Sequence, residues 1–347
     1  MINLVIIGVL FCIHVYADDI IFNTPPYNIP NASFQEQAGS VVALEKSPAQ
    51  RDQGRAGHCF AFSTASAIDY FLCNKIDHFK FMNSLCTSSV PIVSSLHLVS
   101  LSDGEGKKQI VEGGYANGIL LTLSARNPSL ILETCASYEK YLDYLDQYSS
   151  VNQNGESLFQ TAKRVYNEQL SLHYACGEEF ARILSDHTSN KDISQILAFS
   201  RGQYNSFEEL LYETMIPREC NGTDKMVDVY KEIDFEIRQG VQFKKNSQID
   251  YDYFYKTVLE QISQDTPIII NYFTGKSEAE KNRVHSALIT GIKKVCNQIN
   301  ECKTLFRIQN SYGSGWQTQH NDGWVEADPL IERSILTTPA LVWPKKK

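Results

Sequence analysis

Two common signatures of metal chemistry are missing from this 347-residue chain: no C-x-x-C pair and no H-E-x-x-H occurs, so the usual zinc spacings are absent. There is no Lys/Arg-rich or RNP-like stretch, and the formal net charge is −8. Binding a phosphate backbone takes a concentrated basic surface, so a nucleic-acid partner is not expected. The tail Lys345-Lys346-Lys347 reads as solvated. No uncharged apolar run reaches the about 20 residues that span a bilayer. The apolar run Leu4 to Ile13 is shorter and is closed by Val15-Tyr16-Ala17 ahead of Asp18-Asp19. That is the form of a secretory signal peptide, although no Lys or Arg precedes it. Residues 1–17 are therefore expected to be removed, leaving a secreted or extracytoplasmic chain with no membrane attachment. Repeats and low-complexity tracts are also lacking.

What remains, about 330 residues, can bury a full core as one two-lobed domain or as two ordinary ones. Pro25-Pro26, Pro30 and Pro48 predict an extended arm up to residue 52. From Cys59 to about Leu72 the spacing of Ala61, Ala65, Ile68 and Leu72 predicts a helix with one apolar face, Gly57 standing just ahead of it. Residues 139 to 264 are polar, with helical stretches at Ser157 to Ile183 and Tyr251 to Ile262, and Ser206 with Glu209 has the form of a capping box. Beyond Pro267, Ile268-Ile269-Ile270, Ala287 to Ile292 and Leu305 to Ile308 are short strand-like runs. The last two predict an antiparallel hairpin with His285 and Asn310 side by side at its open end and Cys296 and Cys302 near the closed end. One register cannot serve both pairs, and the mismatch implies a bulge or an irregular loop.

Nine cysteines occur, at 12, 59, 73, 86, 135, 176, 220, 296 and 302. Losing Cys12 with the signal and setting Cys59 aside leaves an odd number, so a further thiol is free or pairs between chains. A lone cysteine in an apolar helix is most often a core thiol. To attack a carbonyl it must become a thiolate, and the positive end of a helix and a neighbouring imidazolium both favour that form. Cys59 sits in the first turn of its predicted helix, and His285 is the candidate imidazole. Taken alone, His285 is most often a core histidine, Asn310 a turn residue and Gln53 a surface residue; their grouping is what argues for chemistry. His58 adjoins Cys59 but points about 100° away on a helix, which disfavours it as the base. His78, His97, His173, His187 and His320 are assigned structural roles.

Four blocks, in order along the chain, resemble the papain and cathepsin family of cysteine peptidases. Gln53-Gly54-Arg55-Ala56-Gly57-His58-Cys59-Phe60-Ala61-Phe62 is similar to the family's nucleophile segment. Val93 to Leu98 followed by Gly113-Gly114-Tyr115 resembles the substrate wall, where Gly114 would pair its backbone with an extended peptide. Val284-His285-Ser286 matches the strand that holds the catalytic histidine. Gln309-Asn310-Ser311-Tyr312-Gly313-Ser314-Gly315-Trp316 matches the Asn-Ser-Trp-Gly signature. Departures occur at His58, at Phe60 for Trp or Tyr, and at Tyr312 for Trp, which should shield Asn310 less well. Ala56 and Val111 stand where the family has two bridged cysteines, a staple lost as a pair.

The resemblance implies an α+β fold of two lobes, one helical and one β-barrel-like, with the active cleft between them. It implies a hydrolase in which Cys59 attacks, His285 is the acid/base, Asn310 orients it and Gln53 with the Cys59 N–H holds the oxyanion, while Gly113, Gly114, Tyr115 and Trp316 line the substrate. No cofactor or metal is expected. The expected partners are a peptide or protein substrate and a proteinaceous inhibitor. Papain-fold exopeptidase or acyl transferase activity, and a catalytically silent peptide-binding protein, are the alternatives. Cys59 and His285 lie 226 positions apart, against about 130 to 150 in papain-like enzymes. A mostly helical insertion within 139–264 of a single domain, 18–347, is therefore expected. It would overhang the cleft as a gate or form a surface decoration, and the usual long pro-segment is not recognisable before Cys59. Asn31-Ala32-Ser33 and Asn221-Gly222-Thr223 are glycosylation sequons.

Overall fold

The computed structural model describes residues 27–46, 48–54, 56–76, 86, 91–102, 108–111, 113–114, 116–147, 163, 166, 205–229, 233–238, 249–274, 284–334 and 340–346. The expected signal segment 1–17, Tyr115, Cys176, His78, His173, His187 and the helix expected over Ser157 to Ile183, apart from positions 163 and 166, lie outside the described residues.

Two strands of the N-terminal arm come first, β1 (Gln35–Glu36) and β2 (Val42–Ala43). There follow α1 (Cys59–Lys75), α2 (Ser95–Val99), α3 (Ala116–Arg126), β3 (Leu130–Ile131), α4 (Tyr138–Gln147), α5 (Phe207–Met215), β4 (Met226–Val227) and β5 (Ile233–Arg238). The C-terminal part comprises α6 (Tyr251–Ser263), β6 (Ile268–Phe273), β7 (Val284–Cys296), β8 (Cys302–Gln309), α7 (Gly313–Gln319), β9 (Trp324–Glu326), α8 (Ala327–Ser334) and β10 (Leu341–Lys346). The fold is α+β with two cores. One gathers side chains of α1 to α5, including Phe60, Leu72, Leu96, Ile119, Tyr141 and Leu211. The other packs Phe254 and Val258 of α6 and Leu330 of α8 on the main sheet. Among the described residues, no helix is long and apolar enough to cross a membrane.

The main sheet runs β5-β10-β6-β7-β8-β9, and its two end strands are not paired with each other among the described residues. Strand period explains how it serves both cores. Ile269, Leu288 and Val342 point into the helical core, while their neighbours Ile268, Ile270, Ala287, Ile289 and Leu341 point into the other. A strand buried on both faces reads as an unbroken apolar run, which is why Ile268-Ile269-Ile270 shows no alternation. β7 is the hub: one edge takes β8, and the other takes β6 up to Ile289, then β2 at Gly291 and Ile292 and β1 at Val295 and Cys296.

The hairpin of β7 and β8 closes as expected, with Cys296 opposite Cys302 and bridged to it. A register shift lies between Ile289 and Gly291. It absorbs only part of the mismatch, because the last pair is Leu288 with Gln309. Continued by three residues, that register sets Tyr312, not Asn310, across from His285. Asn310 leaves the ladder where β8 ends, and only its side chain turns back.

α1 differs from its expected amphipathic form, since every residue from Cys59 to Leu72 is buried. A helix enclosed on all sides can approach the sheet and α2 closely only with small side chains, hence Ala61, Ser63, Thr64, Ala65, Ser66 and Ala67. The hydroxyls of Ser63 and Thr64 both donate to Phe60 O, so neither is left unpaired. In α5 the Ser206 hydroxyl accepts from Glu209 N at 3.1 Å. The reciprocal half is shifted by one residue, because Glu209 Oε2 accepts from Asn205 N at 2.7 Å. α5 packs into the helical core and Cys220 is bridged to Cys135, while β5 and α6 join the sheet lobe. These described parts of 139–264 are thus built into the body of the fold.

The arm is joined to the helical lobe by a buried ion cluster. Arg51 donates to Asp69 Oδ2 at 2.5 Å, to Ser95 Oγ at 2.7 Å and to Val93 O at 2.9 Å. Asp69 in turn accepts from the backbone of Ile92 and Val93. Removing one partner of such a pair strands the other charge, so Asp69→Ala should lower unfolding free energy in urea by about 3–5 kcal/mol.

Candidate active site

Cys59 is the first residue of α1 and 6 % exposed. It is the free cysteine among the described residues, the rest being paired as Cys73–Cys86, Cys135–Cys220 and Cys296–Cys302. His58 occupies the cap position without a side-chain capping bond, so the first-turn N–H groups remain directed at the sulfur's surroundings. The thiol lies against the backbone on either side of His285. Its Sγ faces Val284 O at 4.0 Å, and the Ser286 N–H is turned toward it.

His285 is 3 % exposed, and its Nε2 lies 2.8 Å from Asn310 Oδ1. Asn310 is held from all sides. Its Oδ1 also accepts from Ser311 N at 2.8 Å, its Nδ2 donates to the Tyr27 hydroxyl at 3.2 Å, and its carbonyl accepts from Gln50 Nε2 at 2.6 Å. Gln53 is anchored by Nε2 donating to Ala56 O at 2.7 Å and by Oε1 accepting from the Ser311 hydroxyl. An amide nitrogen carries two protons, so one Gln53 N–H is left over. The structure thus gathers Cys59, His285, Asn310 and Gln53 where the two cores meet.

The remaining expected site residues divide. Gly113 N donates to Gly57 O at 3.2 Å, setting the Gly113–Gly114 strip beside the start of α1. At Gly114 a Cβ would stand 2.8 Å from Phe60 Cζ, so only glycine lets the backbone cross that ring. Trp316, in α7, stacks on His320 at 4.2 Å and meets Tyr27 edge-on at 5.0 Å. Asn310 is only 2 % exposed, so the loss of shielding expected from Tyr312 does not occur. Tyr27, from the arm, covers it, and no local sequence signal singles that residue out. Tyr272 completes this wall, its hydroxyl 2.7 Å from that of Tyr27.

The two positions of the missing staple are joined by other means. His58 is fully buried, with Nε2 3.1 Å from Val111 O and Nδ1 2.7 Å from the Tyr138 hydroxyl. The carbonyl can only accept, so Nε2 carries the proton and Nδ1 takes the tyrosine's. Burial lowers the His58 pKa to about 4, which keeps the ring neutral. His97 is likewise structural, its Nδ1 accepting from Ile131 N.

The electrostatics of the pair are dominated by burial. Burial raises the Cys59 thiol to about 11, outweighing the N–H groups of Ser286, Phe60 and Cys59 itself. It also lowers His285 to about 4 against the opposing bond from Asn310. Desolvation disfavours each charged form taken singly, which favours a neutral thiol beside a neutral imidazole. The ultraviolet absorption of a thiolate should therefore be absent from Cys59 at neutral pH and appear only as pH approaches about 11. Thiolate absorption that is already present at pH 6 and is lost in Cys59→Ala would mean a preformed ion pair.

No family model matches the chain, and no match is found among curated proteins. Solved structures that resemble it include xylellain, a cysteine protease from Xylella fastidiosa, at 14 % identity and TM-score 0.42, covering 92 % of this chain and 95 % of that one. The SERA5 proenzyme from Plasmodium falciparum resembles it at 12 % identity and TM-score 0.42, over 86 % of this chain and 62 % of that one. The clostridial cysteine protease Cwp84 after propeptide cleavage does so at 13 % identity and TM-score 0.40, over 87 % and 56 % of the two chains. This chain thus spans under two thirds of the length of the SERA5 and Cwp84 chains.

Proposed function

We propose that this protein is a cysteine peptidase that works outside the cytosol and hydrolyses peptide bonds through a thioester on Cys59. The observation that carries the reading is the placement of one free, buried thiol at the start of α1 against the strand of His285, whose far nitrogen is held by Asn310 at 2.8 Å. A nucleophile, a base beside it and a third group orienting that base form the arrangement that covalent acyl transfer needs. Three disulfides, one of them joining Cys135 to Cys220 across 85 positions, favour an oxidising compartment.

The neutral resting pair makes general-base attack the first step. His285 Nδ1 takes the Cys59 proton as sulfur bonds to the substrate carbonyl carbon. The oxyanion so formed lies between the Cys59 N–H and the spare Gln53 N–H. His285 then gives its proton to the leaving nitrogen as the carbon–nitrogen bond breaks. In the second half a water molecule, deprotonated by His285, attacks the thioester; the carbon–sulfur bond breaks and the proton returns to sulfur. Asn310, accepting from Nε2, keeps the ring oriented through both halves and supports its positive charge. Substrate enters as an extended strand along Gly113 and Gly114, whose backbone is the only surface a Cβ-free strip presents.

Turnover of a peptide library followed by mass spectrometry tests the reading. Cys59→Ala should abolish cleavage without loss of fold, and His285→Ala should come close to it, since members of a catalytic unit do not add. Gln53→Ala should lower kcat by about 10² to 10³ on the oxyanion-hole precedent. Cleavage that survives Cys59→Ala would remove the proposal, and a change in KM alone for Gln53→Ala would reassign that residue to substrate binding.

A further inference from the structure

The hydrogen bonds around Asn310 decide which nitrogen of His285 carries its proton. The Asn310 amide cannot be flipped, because Ser311 N–H needs an acceptor at Oδ1, 2.8 Å away, and a flip would set the amide NH₂ against it. The same oxygen therefore faces His285 Nε2 at 2.8 Å, and Nε2 must bear the proton. Burial keeps the ring neutral, so its one lone pair is on Nδ1, the nitrogen a general base would use.

That lone pair has a donor within reach. The Tyr312 hydroxyl lies 3.3 Å from His285 Nδ1, and the two rings stack with centroids 4.9 Å apart and planes 18° from parallel. The phenol is the donor here, since burial pushes it up to about 12 and it keeps its proton. Meanwhile the Cys59 thiol is directed to Val284 O at 4.0 Å, too long for a strong bond. Tyr312 stands just past the end of the β7–β8 ladder, where its backbone bridges to Asp52. Yet its side chain is 39 % exposed, against 3 % for the histidine it covers.

We propose that Tyr312 is a positioning residue that restrains the base: its hydroxyl and the Cys59 thiol compete for the single lone pair on His285 Nδ1, and the tyrosine must swing away before the thiol can be deprotonated. The inference rests on reading Cys59 and His285 as nucleophile and base. The proton balance is simple. Tyr312 keeps its proton and exchanges Nδ1 for water, and the proton that reaches Nδ1 comes from sulfur. A substrate chain filling the cleft beside this exposed ring supplies the displacement, so the thiol is activated when a substrate is present and is quiet otherwise.

Iodoacetamide labelling of the full chain at pH 7, resolved by mass spectrometry to the peptide holding Cys59, tests this without requiring turnover. Tyr312→Phe keeps the stacked ring and deletes the donor, and it should raise the labelling rate about fivefold, the worth of one ordinary hydrogen bond, at an unchanged thermal midpoint. His285→Ala should lower the rate. In the unsubstituted protein the ¹⁵N resonance of His285 Nδ1 should report an accepted hydrogen bond that Tyr312→Phe abolishes, a signature that packing alone would not move. A rate that is equal or slower in Tyr312→Phe, with His285→Ala slowed as expected, overturns the role of Tyr312 and leaves the peptidase reading intact. A rate unaffected by His285→Ala shows that His285 is not the base of Cys59, and both fall.

Discussion

The contact on which this site depends is the 2.8 Å bond between Asn310 Oδ1 and His285 Nε2, and much of the surrounding structure serves to keep it in place. It joins the first residues of β7 to the residue just past β8, where the ladder has already ended. A side chain leaving a strand has no regular neighbours to fix it, so its partners come from far along the chain. Gln50 and Tyr27 of the arm bind Asn310, and Gln53 N donates to Ser311 O at 2.8 Å. Arg51, between Gln50 and Gln53, is fastened to Asp69 of α1. The arm thus links the helix that carries the thiol to the turn that carries the amide, and it is itself pinned to β7 through β1 and β2.

The same enclosure sets the site's electrostatics. A helix start and three N–H groups favour a thiolate, but they act on a sulfur that is almost wholly removed from water, and the desolvation is larger. His285 is affected in the opposite direction by the same cause. Burial therefore favours a resting state without charge, and in the proposed mechanism the first proton transfer accompanies attack. This is compatible with a peptidase because the proton moves between two neighbours and no net charge enters the protein, while the oxyanion that forms has donors waiting for it.

Sequence patterns made some of this legible and not the rest, and sequence distance explains the division. The start of α1 at Cys59, the strands at Ile268, Ala287 and Leu305, the Cys296–Cys302 bridge and the Ser206 cap each follow from residues within a few positions of one another. The grouping of Cys59, Gln53, His285 and Asn310 was legible only through resemblance, since no spacing joins Cys59 to a histidine 226 positions on. Missed altogether were Tyr27, Tyr272 and the bond that Ser311 makes to Gln53, roles that exist only once the arm, β6 and the end of β8 have converged. The register error belongs here too. Sequence symmetry about the turn set Asn310 opposite His285 in the ladder, whereas the ladder ends at Leu288 and Gln309 and only the Asn310 side chain turns back to the histidine. The α1 periodicity was misleading for a related reason: a helix enclosed on every face is shaped by side-chain size more than by polarity.

The absent staple at Ala56 and Val111 shows how such a fold tolerates change. A disulfide acts largely by restricting the unfolded chain, whereas hydrogen bonds act in the folded state alone. In its place stand the Gly113 N–H bond to Gly57 O and the His58 ring between Val111 O and the Tyr138 hydroxyl. These hold the glycine strip against the start of α1, where a substrate backbone would lie in the proposed function. A cation at Nδ1 would turn its proton toward the Tyr138 oxygen, which could still accept, so geometry alone does not forbid charging. Burial does, keeping the ring unprotonated down to about pH 4. The substitute therefore holds the glycine strip over the range in which His285 is also neutral. One physical cause, the exclusion of water from the junction of the two cores, thus acts on both histidines.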